Sequence, residues 1–226
     1  MVATGQEGSI YQRTPEAPIV LTDTKEMKVV HTFHGIQESV IRLEFSQDGQ
    51  FLAASGACGK FLIWNMDDLT MITSKIDLSP IKQMYWSYIE MVRGKKFPTY
   101  HLASSSNDKV SYHDLEFELG SMKYYSKSGN ILMPNTGLTR VYTSNVVDRE
   151  TGYYYLGTQG GEIVAFDLKN RLYKAVFQIG NSALTNLVYI KGRIYAGFHN
   201  GCIRILQGKL DRLETVREAR LSGKKN

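Results

Sequence analysis

The chain has 226 residues, of which 42% are hydrophobic and 22% charged, with 27 Lys and Arg against 22 Asp and Glu for a net charge of +5. Aromatic residues make up 11%, 14 of them tyrosines, and there are 20 glycines, a composition that excludes the disordered class and fits a β-rich globular protein. No apolar run approaches the roughly 18 residues of a membrane span. The opening MVATGQEGSIYQRT also lacks the charged-then-apolar plan of a secretion signal, so an intracellular protein with no membrane contact is expected.

Along the chain, Val2 to Gly5 reads as an inner strand, and Ala17 to Phe33 supplies two more strands, the first of them IVLTD. A strand with its own turn, FSQDGQFL, then leads into a shoulder of small residues, AASGACGK, and a third strand, FLIWN. The same sequence of parts follows three more times, through the shoulders LASSSNDK, LGTQGGE and AGFHNG to the strands VSYHD, IVAFD and IRILQ. Gln159, Gly160 and Gly161 show what the shoulder turn requires, because glycine supplies the positive φ of a tight hairpin without steric cost. Aligned on Asp23, Asn65, Asp114, Asp167 and Gln207, the steps are 42, 49, 53 and 40 residues. The two long steps are assigned to insertions at Arg93 to Pro98 and Gly129 to Gly137, and each unit ends on an edge strand such as LYKAVFQI.

A lone hairpin cannot bury its apolar face, whereas units of about 40 to 53 residues with four strands each can stack on their neighbours. The fold expected is all-β, a β-propeller segment of four to five blades at residues 1–35, 36–78, 79–128, 138–180 and 181–217, with 218–226 as a basic tail. A ring of about seven blades needs roughly 300 residues, and an open arc leaves unpaired edges and an exposed apolar face. The segment is therefore expected to be part of a longer propeller chain or to close against another chain.

Chemistry-bearing residues are scattered. His31, His34, His101, His113 and His199 fall in different units, and in extended backbone His31 and His34 point to opposite faces, so no metal site is expected. GTQGGE matches no phosphate loop, and neither a nucleophile elbow nor a carboxylate pair is present, so no enzyme and no cofactor are expected. Asp23, Asp114 and Asp167 are assigned to hydrogen-bond acceptors at the blade corners. Cys58 and Cys202 are assigned to equivalent turns as free thiols of a reducing compartment, and no Asn-x-Ser/Thr site points to secretion. Nucleic acid is disfavoured, because the aromatics alternate as strand residues instead of lining a basic patch. The charge is nevertheless uneven. Lys209, Arg212, Arg217, Arg220, Lys224 and Lys225 face only three acids in the last stretch, and Arg93, Lys95 and Lys96 cluster in an insertion. These bases, with Asn130 and Asn135 of the other insertion, are the candidate contacts to an acidic protein partner; a plain solvated surface is the alternative. Leu210, Leu213 and Val216 fit either a helix or an edge strand.

The four-stranded period, the Ala-Ser or Ala-Gly shoulder and the terminal Trp64-Asn65 or Phe166-Asp167 resemble the WD-repeat family. The blades are divergent, because the Gly-His dipeptide is missing apart from a reversed His34-Gly35. Within the family, VATGQ followed by PIVLTDTKEMKVVHTF resembles a junction of the echinoderm microtubule-associated-protein-like group, with Thr22 in place of its tryptophan. TRVYTSNVVDRETGYYYLGTQGGEIVAFDLKNRLY, from Thr139 to Tyr173, is similar to a blade of the cilia- and flagella-associated WD-repeat microtubule inner proteins. That resemblance implies a non-enzymatic structural role in the cytoskeleton of the axoneme of a cilium or flagellum. It implies tubulin and other axonemal proteins as partners within a large complex. The alternative is a general cytosolic WD-repeat adaptor, either a substrate receptor or a signalling scaffold.

Overall fold

The computed structural model of the protein describes residues 1–8, 16–107, 109–134, 138–209 and 212–220. Among these described residues nineteen strands form five antiparallel sheets in chain order. Blade 1 has three, β1 (Val2–Gly5), β2 (Ile19–Asp23) and β3 (Lys28–Phe33). Blade 2 is β4 (Val40–Phe45), β5 (Phe51–Gly56), β6 (Lys60–Asn65) and β7 (Met71–Ile76). Blade 3 is β8 (Gln83–Glu90), β9 (Thr99–Ser105), β10 (Val110–Glu118) and β11 (Lys123–Ile131). Blade 4 is β12 (Tyr142–Asp148), β13 (Tyr153–Thr158), β14 (Glu162–Asp167) and β15 (Leu172–Gln178). Blade 5 is β16 (Leu184–Ile190), β17 (Arg193–Phe198), β18 (Cys202–Lys209) and β19 (Arg212–Arg220).

Register fixes the place of each strand in blade 1. Gly5 lies opposite Ile19 as Ser55 lies opposite Phe61, Gly157 opposite Ile163 and Gly197 opposite Ile203. β1 therefore occupies the second-strand place, an inner strand ahead of the last two, as expected. Asn130, by contrast, is no insertion residue but part of β11, paired with Ser111. The strand alternative holds for Leu213 and Val216, which lie in β19, while Leu210 lies outside the described residues. β11 runs to Ile131 and β19 to Arg220, past the 128 and 217 at which the sequence reading closed those units. Cys58 is a turn residue whereas Cys202 opens β18, so the two are not equivalent, and both thiols are free.

Both faces of each inner blade are apolar, and alternation sends successive side chains to opposite neighbours. β14 shows this plainly. Ile163 and Ala165 pack towards blade 5 with Tyr155, Leu184 and Leu187, while Val164 and Phe166 pack towards blade 3 with Tyr154 and Val110. Equivalent clusters fill the seam of blades 1 and 2, around Leu21, Leu62 and Trp64, and that of blades 2 and 3, around Phe51, Ile63 and Trp86. Near the axis the innermost strands are laced by side chains that bond a neighbour's backbone. Arg42 donates to the Lys82 carbonyl at 2.9 Å, Trp86 Nε1 to that of Glu44 at 2.9 Å, Gln83 Nε2 to that of Thr143 at 2.9 Å, and Asn145 Nδ2 to that of Met84 at 3.1 Å. The outer face of blade 5 is open by comparison. Val188, Tyr195, Ile203 and Ile205 hold the places of the buried Val146, Tyr155, Ile163 and Ala165, yet Val188 is 41% exposed and the other three are half-buried.

The small-residue shoulder has a packing cause. A Cβ at Gly5 would lie 2.5 Å from Val40 of the next blade, and one at Gly157 would lie 3.0 Å from Leu184 Cβ and nearer still to Ser144 Oγ. Blade 2 has Ser55 at this place, and its hydroxyl donates to the Ile81 carbonyl of blade 3 at 2.9 Å. Replacing Gly157 with alanine is therefore expected to push blades 4 and 5 apart and cost about 1–3 kcal/mol, read as a lower midpoint in urea denaturation at unchanged m-value.

Candidate partner interface

The corners after the third strands share one design. The Asp23 carboxylate accepts from the N–H groups of Lys25 and Glu26, Asn65 from that of Asp67, and Asp167 from that of Asn170. Four residues after each closing position, Met27, Leu69 and Arg171 hold φ between 54° and 58°, a left-handed conformation that turns the chain into the fourth strand. Asp23 and Asp167 thus play the corner role expected of them, and Asp114 does not. In blade 3 the corner has moved four residues on, to Glu118, with Ser121 bonding its carboxylate and Met122 at φ 55°.

Moving the corner lengthens β10 and β11 to nine residues each, so their hairpin projects from the edge of the disc. The Arg93 to Pro98 insertion between β8 and β9 projects beside it, because first-to-second and third-to-fourth strand turns lie on the same edge. The Phe97 and Phe117 rings meet at 3.9 Å, Tyr124 OH donates to the Pro98 carbonyl at 3.3 Å, and Lys95 reaches Glu116 at 2.9 Å. The result is a two-hairpin prong. Its far end carries Met91, Leu119 and Met122, each more than 60% exposed, beside the exposed Arg93 and Lys96.

Asp114, released from the corner, is buried mid-strand and faces blade 4. Its carboxylate is joined to His101 Nδ1 at 2.7 Å and to the guanidinium of Arg171, a corner residue of the next blade. Three cations of blade 4 cover three tyrosines of blade 3 along this seam. Arg149 lies 5.5 Å from the Tyr85 ring centre, Lys169 5.6 Å from that of Tyr88, and Arg171 4.0 Å from that of Tyr112. Burial, helped by the charge of Glu90, pushes the Tyr88 phenol up to about 12. Nearby, Tyr85, Asp148, Arg149, Glu150, Tyr189 and Lys191 border a cavity of about 500 Å³ between blades 3, 4 and 5.

The expected contact residues do not gather into one patch. Lys95 is neutralised by Glu116, which Lys127 also meets at 3.1 Å. The Lys95 bond, against opposing desolvation, holds that carboxyl down at about 2. Arg93 and Lys96 remain exposed on the prong, Lys96 lying 5.6 Å from the Phe97 ring centre. Lys209 ends β18 on the same edge, where Arg212 pairs with Glu214 at 2.7 Å. Arg217 is exposed in mid-β19, Arg220 lies 3.6 Å from Glu218 towards the opposite edge, and Asn130 accepts from Ser111 there. Asn135, Lys224 and Lys225 lie outside the described residues. Among the described residues no group of three or more His, Cys, Asp or Glu could hold a metal ion, and no helix is long and apolar enough to cross a membrane. The prong's apolar tip and the tyrosine–cation seam were not anticipated. Their only sequence signals were the paired excess length of blade 3 and the tyrosines of QMYWSYIE.

No family model matches the chain, and no curated protein matches it in sequence. Among solved structures it is similar to the β-propeller domain of Cps50 (Swd1) from Myceliophteria thermophila. The TM-score is 0.68 at 13% identity, and the match covers 96% of this chain and 73% of that one. The fold is that of a β-propeller. The prong is the feature that projects from the edge of this propeller.

Two outcomes are expected. Arg171→Ala leaves the buried Asp114 carboxylate with His101 alone and, because the guanidinium is half exposed, should cost about 1–3 kcal/mol, measured by denaturant unfolding, whereas the exposed Arg217→Ala should change stability by less than about 0.5 kcal/mol. His113, held neutral by burial with its pKa lowered from 6.5 to about 3, adds an acid-sensitive contribution. Since the unfolded chain takes up this proton first, stability is intact above pH 6.5 and falls as the pH drops from there towards 3. His113→Phe should flatten that slope in melting curves taken across the interval.

Proposed function

We propose that the protein is a non-enzymatic structural scaffold of the ciliary or flagellar axoneme, binding tubulin inside doublet microtubules and stabilising them with other inner proteins. The observation that carries the attachment is the prong, a stiff projection that presents Arg93 and Lys96 beside exposed Met91, Leu119 and Met122. Apolar tips flanked by cations suit an acidic protein surface, and many modest contacts repeated along a polymer add up through effective concentration. Which polymer is indicated by the two resembling segments, Val2–Phe33 in blade 1 and Thr139–Tyr173, which spans the first three strands of blade 4 and its corner. Arg149, Lys169 and Arg171 all lie in the second segment. A general adaptor is the second reading, favoured by the cavity of about 500 Å³ bordered by Arg149, Asp148 and Tyr189, which is large enough for a peptide side chain or two.

Salt extraction of isolated axonemes separates the two. A lumenal scaffold should stay with the doublets at salt that strips exterior, charge-held proteins, because the tubule wall blocks its exit. Release at moderate salt, or absence from cilia and flagella, would leave the adaptor reading. On the axonemal reading, the double variant Arg93→Glu and Lys96→Glu should bind microtubules about tenfold or more weakly in co-sedimentation, with an unchanged melting temperature.

A further inference from the structure

Blade 3 departs from the other blades on the face it turns to blade 2. At the two third-strand positions facing the preceding blade, blade 2 has Leu62 and Trp64 and blade 4 has Val164 and Phe166, all buried and apolar. Blade 3 has Ser111 and His113 instead. A hydroxyl and an imidazole are smaller than the side chains they replace, and a cavity of about 260 Å³ lies there, between the outer parts of blades 2 and 3.

The lining of this crevice is polar and unbalanced in charge. Lys75 of β7 bonds the Ser128 hydroxyl of β11, and among the described residues no carboxylate lies within ion-pair distance of its ammonium. The acid on the same wall, Asp77, is already paired with Lys109 at 2.7 Å. His113 is buried beside the Phe61 ring, with Nε2 joined to Ser104 Oγ at 2.8 Å and Nδ1 without a hydrogen-bond partner. Burial lowers the pKa of Lys75, and burial with the Lys75 charge keeps His113 neutral. A partly desolvated cation beside an unpaired ring nitrogen is an incomplete constellation, because both groups cost free energy until something of opposite character meets them.

We propose that this crevice binds a carboxylate, with the Lys75 ammonium as counter-charge and His113 Nδ1–H and the Asn130 amide as hydrogen-bond donors. One carboxylate satisfies all three, since each of its oxygens accepts two bonds. Ser104 then donates to Nε2, which fixes the tautomer with the proton on Nδ1. The volume lies below that of drug-sized pockets, about 300–1,000 Å³, and suits a small acid or a single Asp or Glu side chain. Ser111, already donating to Asn130 Oδ1 at 2.8 Å, holds the amide with its NH₂ group free for the ligand. The site is independent of the prong and opens on the opposite edge of the disc.

The test is NMR of the whole protein, following the Lys75 ε-CH₂ and His113 ring signals while acetate, a capped Gly-Glu-Gly peptide or its Gly-Gln-Gly counterpart is added. The Glu peptide is expected to shift both sets of signals and the Gln peptide neither. A response to acetate as well assigns the crevice to free small acids, and a response to the Glu peptide alone assigns it to a side chain presented by a partner. Lys75→Gln should weaken binding about tenfold or more. Lys75→Met, which removes a desolvated cation, should melt no lower than the natural protein. The proposal is overturned if neither carboxylate moves the signals, if Lys75→Gln binds as tightly, or if Lys75→Met melts lower, which would make the bond to Ser128 a structural tie.

Discussion

Every inner blade is a sheet with two apolar faces, and a sheet of four short strands cannot keep both dry by itself. Stacking each blade between two others removes side chains such as Ile163 and Phe166 from water on opposite sides at once. At about 25 cal/mol per Å² of apolar area, a buried residue of this size contributes roughly 1.5–3 kcal/mol. The seams rather than the strands therefore hold most of the stability. Small shoulder residues follow from the same constraint, because the chain of the next blade passes where a Cβ would stand at Gly5 or Gly157. So does the lacing near the axis, which satisfies neighbouring carbonyls without adding bulk.

Against that apolar background the polar seams stand out. The seam of blades 3 and 4 spends a buried carboxylate, a guanidinium and three tyrosine–cation contacts on joining two sheets that already share Val164, Phe166 and Tyr154. Buried ion pairs are weak sources of net stability but strict about geometry. The bond from Arg171 to Asp114 ties a corner of blade 4 to the middle of a strand in blade 3. The seam of blades 2 and 3 is polar in another way. Ser111 and His113 break the apolar pattern without completing their own bonding, and a neutral buried imidazole makes the seam sensitive to acid.

What could be seen in the sequence was local. FLIWN and IVAFD announce buried third strands because alternation with period two is a property of the strand itself, and the glycines of LGTQGGE announce a turn because only positive φ closes it. VSYHD holds the same place in the period, although Ser111 and His113 break its apolar run. Nothing within those five residues tells that pairing continues to Glu118, because that depends on β11 offering nine partners, among them Tyr124 and Tyr125. Charge was misjudged for a related reason. Lys95 reads as a free base until Glu116, 21 residues away, is brought beside it by the prong. Asp114 and Arg171 are 57 residues apart and meet only across a seam, which no strand-level pattern encodes.

The prong has a mechanical consequence. Its root is an aromatic stack, Phe97 on Phe117 with Tyr124 against Pro98, and Tyr124 continues into Phe51 of blade 2 at 4.9 Å. A push on Met91 or Leu119 is thus not absorbed by bending of a loose loop. It travels as leverage through packed rings into the interior, where blade 2 resists it, so the projection behaves as a short rigid strut with its footing in two sheets.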